Sequence, residues 1–148
     1  MILIDANILL YAYDATSNFH KKASTWLEEC LSGERPVGFA LDTLVGFVRM
    51  STHARIFAEP FRVAQALEII ESWLAVPQVS LVLPTEAHWA IFTRLMGEAQ
   101  VGGLLAQDAH LAALAIEHGA TVITHDRDFA KFPGLRVEYP LTASRKSR

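Results

Sequence analysis

Short runs of apolar residues alternate along the chain with longer stretches in which apolar residues recur every three or four positions. The short runs predict five strands, the first of them formed by branched residues in succession, which is typical of a strand buried on both faces. The predicted strands are 2–4, 37–40, 79–83, 121–124 and 135–138. The periodic stretches predict helices. The predicted helices are 7–13, 17–31, 41–52, 61–74, 86–98 and 103–118. This alternation predicts an α/β sandwich with a mostly parallel sheet flanked by helices.

The length and composition of the chain predict one domain with a single hydrophobic core. The chain has 148 residues, 51% of them hydrophobic, which is enough for one sizeable core, so residues 1–142 are predicted to form a single domain. The basic segment 143–148 is predicted to be a disordered tail. The single cysteine, Cys30, has no internal partner for a disulfide. Because no long apolar span or cleavable leader is apparent, a soluble cytoplasmic protein with no membrane association is expected.

The net charge of the chain limits how it could bind a nucleic acid. With 13 basic and 16 acidic residues the net charge is −3, so no general positive field would capture a nucleic acid. A phosphate-bearing substrate would need a local basic patch. The candidate basic residues are Arg49, Arg55, Arg62, Arg127 and Lys131.

Four aspartates stand where hydrophobic residues are expected or directly after buried strands. Asp5 closes the first strand, and Asp126 and Asp128 follow the strand at 121–124. Asp108 is the one charge on an apolar helix face that it shares with Leu104, Leu111, Ala112 and Ala115. In open α/β sheets the active crevice lies outside the carboxyl ends of the strands. An unpaired carboxylate facing a core costs several kcal/mol. A cation held by converging carboxylates would offset that cost, and hard oxygen ligands favour Mg²⁺ or Mn²⁺.

Each acid also has a structural explanation. Asp5 could cap the helix that follows it, Asp108 could pair with Arg49 or Arg94, and Asp126 and Asp128 lie in a turn. Taken together, the four positions favour a metal site over separate capping and turn roles. His110 is two residues from Asp108, about 200° around a helix, so it is expected to point away from the acids. His110 and His125 are therefore predicted to be surface or packing residues.

The segments that carry these acids resemble a known family. Ile4-Asp5-Ala6-Asn7, the helix at 108–112 and the segment 119–129 resemble PIN-domain ribonucleases, and more closely the VapC toxins of bacterial toxin–antitoxin pairs. The segment 46–52, followed by Phe57 and Pro60, is similar to one VapC subgroup. The resemblance covers nearly the whole chain. It implies a PIN-like α/β/α sandwich and a toxin that is an Mg²⁺- or Mn²⁺-dependent endoribonuclease, with metal-activated water attacking an RNA phosphodiester.

The resemblance also implies roles for individual residues. Asp5, Asp108 and Asp126 would be the central catalytic and metal-binding acids, with Asp128 a more variable fourth ligand. The supporting residues would be Asn7 and Thr124. On chemical grounds, Arg49 or Arg127 could hold a neighbouring phosphate of the RNA substrate as a charge-assisted donor. The implied partners are a cognate VapB-type antitoxin and a second copy of the chain, in a homodimer.

One position departs from the family pattern. PIN domains commonly carry a glutamate on the third helix, where this chain has Gly46. Asp42, one helical turn earlier, either compensates or caps that helix.

Two functions other than a metal-dependent ribonuclease remain open: a catalytically weak PIN-fold binding module and a metal-dependent phosphatase. Gly46 leaves room for a catalytically weak PIN fold that binds RNA or a protein. A metal-dependent phosphatase of the haloacid-dehalogenase type would need Asp-x-Asp after the first strand, where this chain has Asp5-Ala6-Asn7. A receiver domain would need an aspartate after the strand at 79–83, which ends in Pro84-Thr85.

Overall fold

The computed structural model describes residues 1–100 and 102–142. These residues form five strands and six α-helices in an alternating order. The strands are β1 (Ile2–Ile4), β2 (Val37–Ala40), β3 (Val79–Val82), β4 (Thr121–Ile123) and β5 (Arg136–Glu138). The helices are α1 (Ala6–Tyr13), α2 (His20–Ser32), α3 (Leu41–Ser51), α4 (Val63–Leu74), α5 (His88–Glu98) and α6 (Ala106–Glu117). Two 3₁₀ segments occur at Gly103–Leu105 and Arg127–Lys131.

All five strands form one sheet in the order β3-β2-β1-β4-β5, and each neighbouring pair is parallel. The predicted α/β class is therefore confirmed. Strand β1 lies in the centre, with β2 on one side and β4 on the other. The chain order reverses across β1, and such a switch point is where α/β sheets open a crevice at the carboxyl ends of their strands.

The side chains of the inner strands alternate between two cores, one on each face of the sheet. Ile2, Ile4 and Phe39 pack with helices α1 to α4 on one face, while Leu3 and Val122 pack with α5 and α6 on the other. Because both faces are covered, the inner strands are apolar throughout, as the sequence pattern indicated. The molecule is an α/β/α sandwich with four helices on one face and two on the other.

One predicted element begins differently. The helix predicted from Gly103 starts with a 3₁₀ turn, and α6 begins only at Ala106. The side chain of Leu104, predicted on the buried face, is 98% exposed because the tighter turn rotates it away from the core. Asp108 consequently lies in the first turn of α6, at the edge of the core.

Within residues 1–100 and 102–142, none of the helices is long and apolar enough to cross a membrane. The basic segment predicted to be a disordered tail, 143–148, lies outside the described residues. The prediction of a single domain over residues 1–142 stays a prediction.

Candidate metal centre

The first acid lies at the centre of the sheet's carboxyl edge. The backbone N–H of Asp5 donates to Ile123 O at 2.9 Å, which ties the end of β1 to the end of β4. Asp5 is also the N-cap residue of α1, and its Oδ1 accepts from Ala6 N at 2.8 Å. The capping explanation is therefore correct for this residue. Its second oxygen, Oδ2, takes no part in the cap and faces Thr124 at the end of β4.

A buried hydroxyl joins Asp5 to the second acidic segment. Thr124 is fully buried, and its Oγ1 donates to Asp5 Oδ2 at 2.8 Å. The same Oγ1 accepts from Asn7 Nδ2 at 3.3 Å and from Asp126 N at 3.0 Å. Asn7 also accepts from His125 N at 3.3 Å. A threonine hydroxyl has one hydrogen to donate and two lone pairs, and all are used here. Thr124 and Asn7 thus fix the relative positions of Asp5 and Asp126.

Three carboxylates converge beside this network. One side-chain oxygen from each of Asp108, Asp126 and Asp128 lies within 4.8 Å of the other two. Asp126 Oδ1 accepts from Asp128 N at 2.9 Å, which shapes the turn after β4. Asp128 Oδ1 also lies 2.9 Å from Lys131 Nζ. The turn explanation for Asp126 and Asp128 is correct locally, and the turn directs both carboxylates towards α6.

The electrostatics of the cluster show that the acids crowd one another. Burial raises the pKa of Asp108 to about 6, together with the charges of Asp126, Asp5 and Asp128. Burial also raises the pKa of Asp5, although hydrogen bonds from Thr124 and Ala6 oppose the shift. Carboxylates that raise one another's pKa favour binding of either a proton or a cation.

A groove of about 490 Å³ opens next to the acids, between α3 and the start of α6. Asp5 and Asp108 line it on one side and Asp42, Gly46 and Arg49 on the other. Within the described residues Asp108 has no ion pair, and Arg94 pairs instead with Glu98 at 3.7 Å. The alternative in which Arg94 neutralises Asp108 is therefore wrong. Arg49 shares the groove with Asp108 and is exposed.

The side chains of three other predicted basic residues, Arg62, Arg127 and Lys131, have local partners. Arg127 donates to Thr142 Oγ1 at 2.9 Å and lies over the ring of Tyr139 at 3.9 Å. At the start of α4, the backbone N–H and the Nε–H of Arg62 both donate to Gln65 Oε1. Of the candidate residues Arg49, Arg55, Arg62, Arg127 and Lys131, only Arg49 lines the groove.

The expected orientation of His110 needs correction. Its Nε2 lies 3.1 Å from Asp42 Oδ2, and both residues line the groove. The expectation that His110 points away from acids is wrong for Asp42, a neighbour on α3 that the periodicity of α6 does not reveal. Asp42 does not cap α3, which starts at Leu41 without a side-chain cap. Asp42 Oδ2 instead accepts from Gln107 Nε2 at 3.0 Å.

Several of these contacts had no signal in the sequence. Gln107, His88 and Glu117 were not predicted as site residues, and each is joined to the groove by hydrogen bonds between distant parts of the chain. His125 packs against Phe19, with a ring-centroid distance of 4.3 Å, as a packing histidine would.

Comparison with known proteins identifies the family. The family model of the PIN domain matches residues 2–135, which is most of the chain. The chain belongs to the PIN-domain family. This PIN domain is 43% identical over 140 residues to ribonuclease VapC37 of Mycobacterium tuberculosis, a match that covers 95% of this chain and 97% of that protein. It is 36% identical over 141 residues to ribonuclease VapC43 of the same species, covering 95% and 96%. The chain therefore belongs to the VapC group of PIN domains.

Solved structures with low sequence identity share the fold. One is VapBC2 from Rickettsia felis bound to a promoter DNA fragment, with a TM-score of 0.68 at 17% identity over 93% of this chain and 98% of that one. Another is VapBC-1 from nontypeable Haemophilus influenzae, with a TM-score of 0.68 at 17% identity over 96% and 100%. The predicted PIN-like α/β/α sandwich is confirmed.

The donor set of this PIN domain fits a hard divalent cation. Asp108, Asp126 and Asp128 offer only carboxylate oxygens, which Mg²⁺ and Mn²⁺ prefer, and the group contains no thiolate or imidazole of the kind that selects zinc. Asp5 lies outside this group of three, but its charge raises the pKa of Asp108. A cation held by the three acids would face Asp5 as an additional negative charge.

The crowding of the acids predicts an unusual pH dependence of stability. The pKa of Asp108 is raised from 3.8 to about 6 in the folded protein, so its contribution to stability is present below pH 3.8 and is lost as the pH rises to about 6. We expect metal-free Asp108→Asn to melt at a higher temperature than wild type above pH 6, with the difference vanishing near pH 4. Differential scanning calorimetry in EDTA measures this. A difference in Tm that does not change with pH would contradict the assigned crowding.

Proposed function

We propose that this protein is the toxin of a VapBC-type pair and an endoribonuclease that requires Mg²⁺ or Mn²⁺. The observation that carries the proposal is the convergence of Asp108, Asp126 and Asp128 beside Asp5, at the carboxyl edge of a parallel sheet and next to an open groove. The relatives named ribonuclease VapC, similar over nearly their whole length, support it.

The residues of the proposed metal site would have separate roles. Asp108, Asp126 and Asp128 would hold the cation, and Asp5 would add a fourth negative charge beside them. When bound, the cation supplies a Lewis acid that lowers the pKa of water and stabilises negative charge on the phosphodiester. Asn7 and Thr124 hold Asp5 and Asp126 in register through the bonds to Thr124 Oγ1. The carboxylates would place that cation at the edge of the groove, next to a bound phosphodiester.

Arg49 is the proposed substrate-binding residue among the predicted basic positions. It is exposed on the groove wall formed by α3, opposite Asp108. Its guanidinium can donate two parallel hydrogen bonds to a phosphate of a bound RNA strand. Asp42 lies outside the group of three converging carboxylates, and its Oδ2 contacts Gln107 and His110, so we do not propose it as the replacement for the missing glutamate.

The proposed protein partners are a VapB-type antitoxin and a second copy of the chain. The solved relatives from R. felis and H. influenzae are VapBC assemblies, and that supports an antitoxin partner. Large apolar side chains remain exposed on this chain, among them Trp89 at 70% and Val45 at 60%. Sedimentation of the isolated protein distinguishes a homodimer from a monomer, and co-expression with any small open reading frame found directly upstream of the gene tests for the antitoxin.

The ribonuclease proposal is tested with antitoxin-free protein and total RNA. Incubation with Mg²⁺, Mn²⁺ or EDTA, followed by denaturing electrophoresis, should give discrete RNA fragments only with a divalent cation. Absence of cleavage by folded, metal-loaded protein would favour the alternative of a catalytically weak RNA- or protein-binding module. Hydrolysis of phosphate monoesters without cleavage of RNA would favour a phosphatase.

A further inference from the structure

A glycine lies in the middle of α3, where the backbone conformation does not require one. Gly46 is flanked on both sides by helical residues of this 11-residue helix. Glycine inside a helix is destabilising relative to alanine, because glycine loses more backbone freedom on folding. The φ of Gly46 is not positive, unlike those of Gly119 and Gly134, so an alanine could adopt the same conformation.

Packing does not require Gly46 either. A methyl group added to Gly46 would lie 3.4 Å from Met50 Cε, the free end of a flexible side chain. Apart from its chain neighbours and its own helix backbone, no other described atom would lie within 4 Å. Gly38 in β2 is the opposite case, because a methyl group there would lie within 2.6 Å of side chains on both neighbouring strands. The space beside Gly46 is open and belongs to the groove that Asp5 and Asp108 also line.

One face of α3 forms a wall of this groove. The α3 residues that line the groove at helical spacing share that face, and together they form the α3 wall. They are Asp42, Val45, Gly46, Arg49 and Met50. Val45 is 60% exposed, and Gly46 and Met50 are half-buried. The α3 wall thus carries Asp42 in one turn, the uncharged pair Val45 and Gly46 in the next, and Arg49 beside Met50 in the third.

The charges of the α3 wall favour an uncharged group over Gly46. Asp42 would repel a phosphate in its part of the groove, whereas Arg49 would attract one. Residues three or four apart on a helix are neighbours about 5–6 Å apart, so a group seated over Gly46 is next to Arg49. A nucleotide has this combination, because its phosphate is anionic and the faces of its base are uncharged. The groove volume of about 490 Å³ is in the range of about 300–1,000 Å³ that is typical of ligand sites.

We propose that Gly46 leaves space for a nucleobase of the RNA, which packs against Val45, Gly46 and Met50. This inference rests on the proposed ribonuclease function and assigns a base-binding subsite to the same groove. The phosphodiester on one side of that nucleotide lies at the acid cluster, and Arg49 holds the phosphate on its other side. Proteins commonly recognise single-stranded RNA through bases that leave the stack and pack against side chains.

The test compares two probes, one with bases and one without. Anisotropy of a labelled single-stranded oligoribonucleotide, and of an abasic oligomer with the same sugar–phosphate backbone, gives the Kd of each in Ca²⁺. Gly46→Ala and Gly46→Leu fill the space in two steps. We expect Gly46→Leu to raise the Kd of the oligoribonucleotide about 10-fold and to leave that of the abasic oligomer within about 2-fold of wild type. Gly46→Ala should have a smaller effect in the same direction.

Thermal unfolding shows whether a loss of affinity comes from damage to the fold. Alanine and leucine are better helix formers than glycine, so both variants should melt about 3 °C higher than wild type. Gly97→Ala and Gly97→Leu are the matched controls. Gly97 lies near the end of α5, away from the residues that line the groove, and a methyl group there would meet no described atom within 4 Å. Both controls should keep the wild-type Kd for both probes.

Three results would overturn the inference. An equal loss of affinity for both probes in Gly46→Leu would mean that the space takes the sugar–phosphate backbone. Unchanged affinity for both probes would mean that RNA does not occupy the space. Unchanged RNA affinity together with a weaker homodimer in sedimentation would assign the space to a second copy of the chain.

The outcomes also separate the base subsite from the ribonuclease proposal, because binding in Ca²⁺ is measured without turnover. Cleavage of RNA by wild type in Mg²⁺, with an unchanged Kd in Gly46→Leu, would leave the ribonuclease intact and remove the base subsite. A base-dependent loss of affinity without any cleavage by wild type would leave the base subsite intact and remove the ribonuclease.

Discussion

We expect Asp108→Asn to reduce Mg²⁺-dependent RNA cleavage on the order of 10³-fold, equivalent to about 4 kcal/mol of transition-state stabilisation. Asp108 contributes the α6 oxygen of the group of three carboxylates, and the amide that replaces it is nearly the same size but carries no charge. The variant should fold, because the change removes repulsion from Asp126, Asp5 and Asp128. Initial rates at saturating RNA, measured over a range of Mg²⁺ concentrations, give both the maximal rate and the metal requirement.

The matched control is Asp14→Asn, which makes the same chemical change outside the site. Asp14 Oδ1 accepts from Thr16 N and Thr16 Oγ1, and an asparagine oxygen can keep both bonds. Its cleavage rate should equal that of wild type. A folded Asp108→Asn protein with wild-type activity would mean that the three converging carboxylates are not the reaction centre.

Thr124→Val should lower both stability and activity. Valine has the shape of threonine but removes the hydroxyl that donates to Asp5 and accepts from Asn7 and Asp126 N. Because Thr124 is fully buried, leaving those donors without an acceptor should cost about 1–3 kcal/mol of unfolding free energy. Groups that orient metal ligands are typically worth about 10–100-fold in metal affinity or activity. Urea denaturation and the Mg²⁺ concentration for half-maximal cleavage measure the two effects.

Thr124→Ser distinguishes the contribution of the Thr124 hydroxyl from that of its methyl group. Serine retains the three hydrogen bonds and removes one buried methyl, so we expect a loss of about 1 kcal/mol in stability and near wild-type cleavage. Equal loss of activity in the serine and valine variants would show that packing at this position, rather than its hydroxyl, positions the acids.

Much of the fold follows from local sequence patterns. Runs such as Ile2 to Ile4 predict buried parallel strands because both faces of the sheet are covered by helices. The acids at the strand ends could be predicted to meet because parallel strands bring their carboxyl ends to one edge. The start of α6 could not be predicted as well, since apolar periodicity does not distinguish a 3₁₀ turn from the first turn of an α-helix.

The groove depends on contacts that no local pattern encodes. Gln107 and Asp42 are 65 residues apart in the chain, and His88 and Glu117 are 29 apart. Each pair is brought together by the packing of α3, α5 and α6 in the folded protein. Helical periodicity placed His110 relative to Asp108 on its own helix, but it gave no information about Asp42 on the facing helix.

The chemical ends of the RNA fragments test the central claim most directly. If water, oriented by Asp5 and the three converging carboxylates, attacks the phosphodiester, fragments formed in Mg²⁺ carry linear phosphate and hydroxyl ends and are absent in EDTA. Mass spectrometry of the products of one defined oligoribonucleotide reads these ends. Fragments with 2′,3′-cyclic phosphates, formed equally well in EDTA, would mean that the RNA's own hydroxyl attacks without a metal, and would contradict the assigned metal centre.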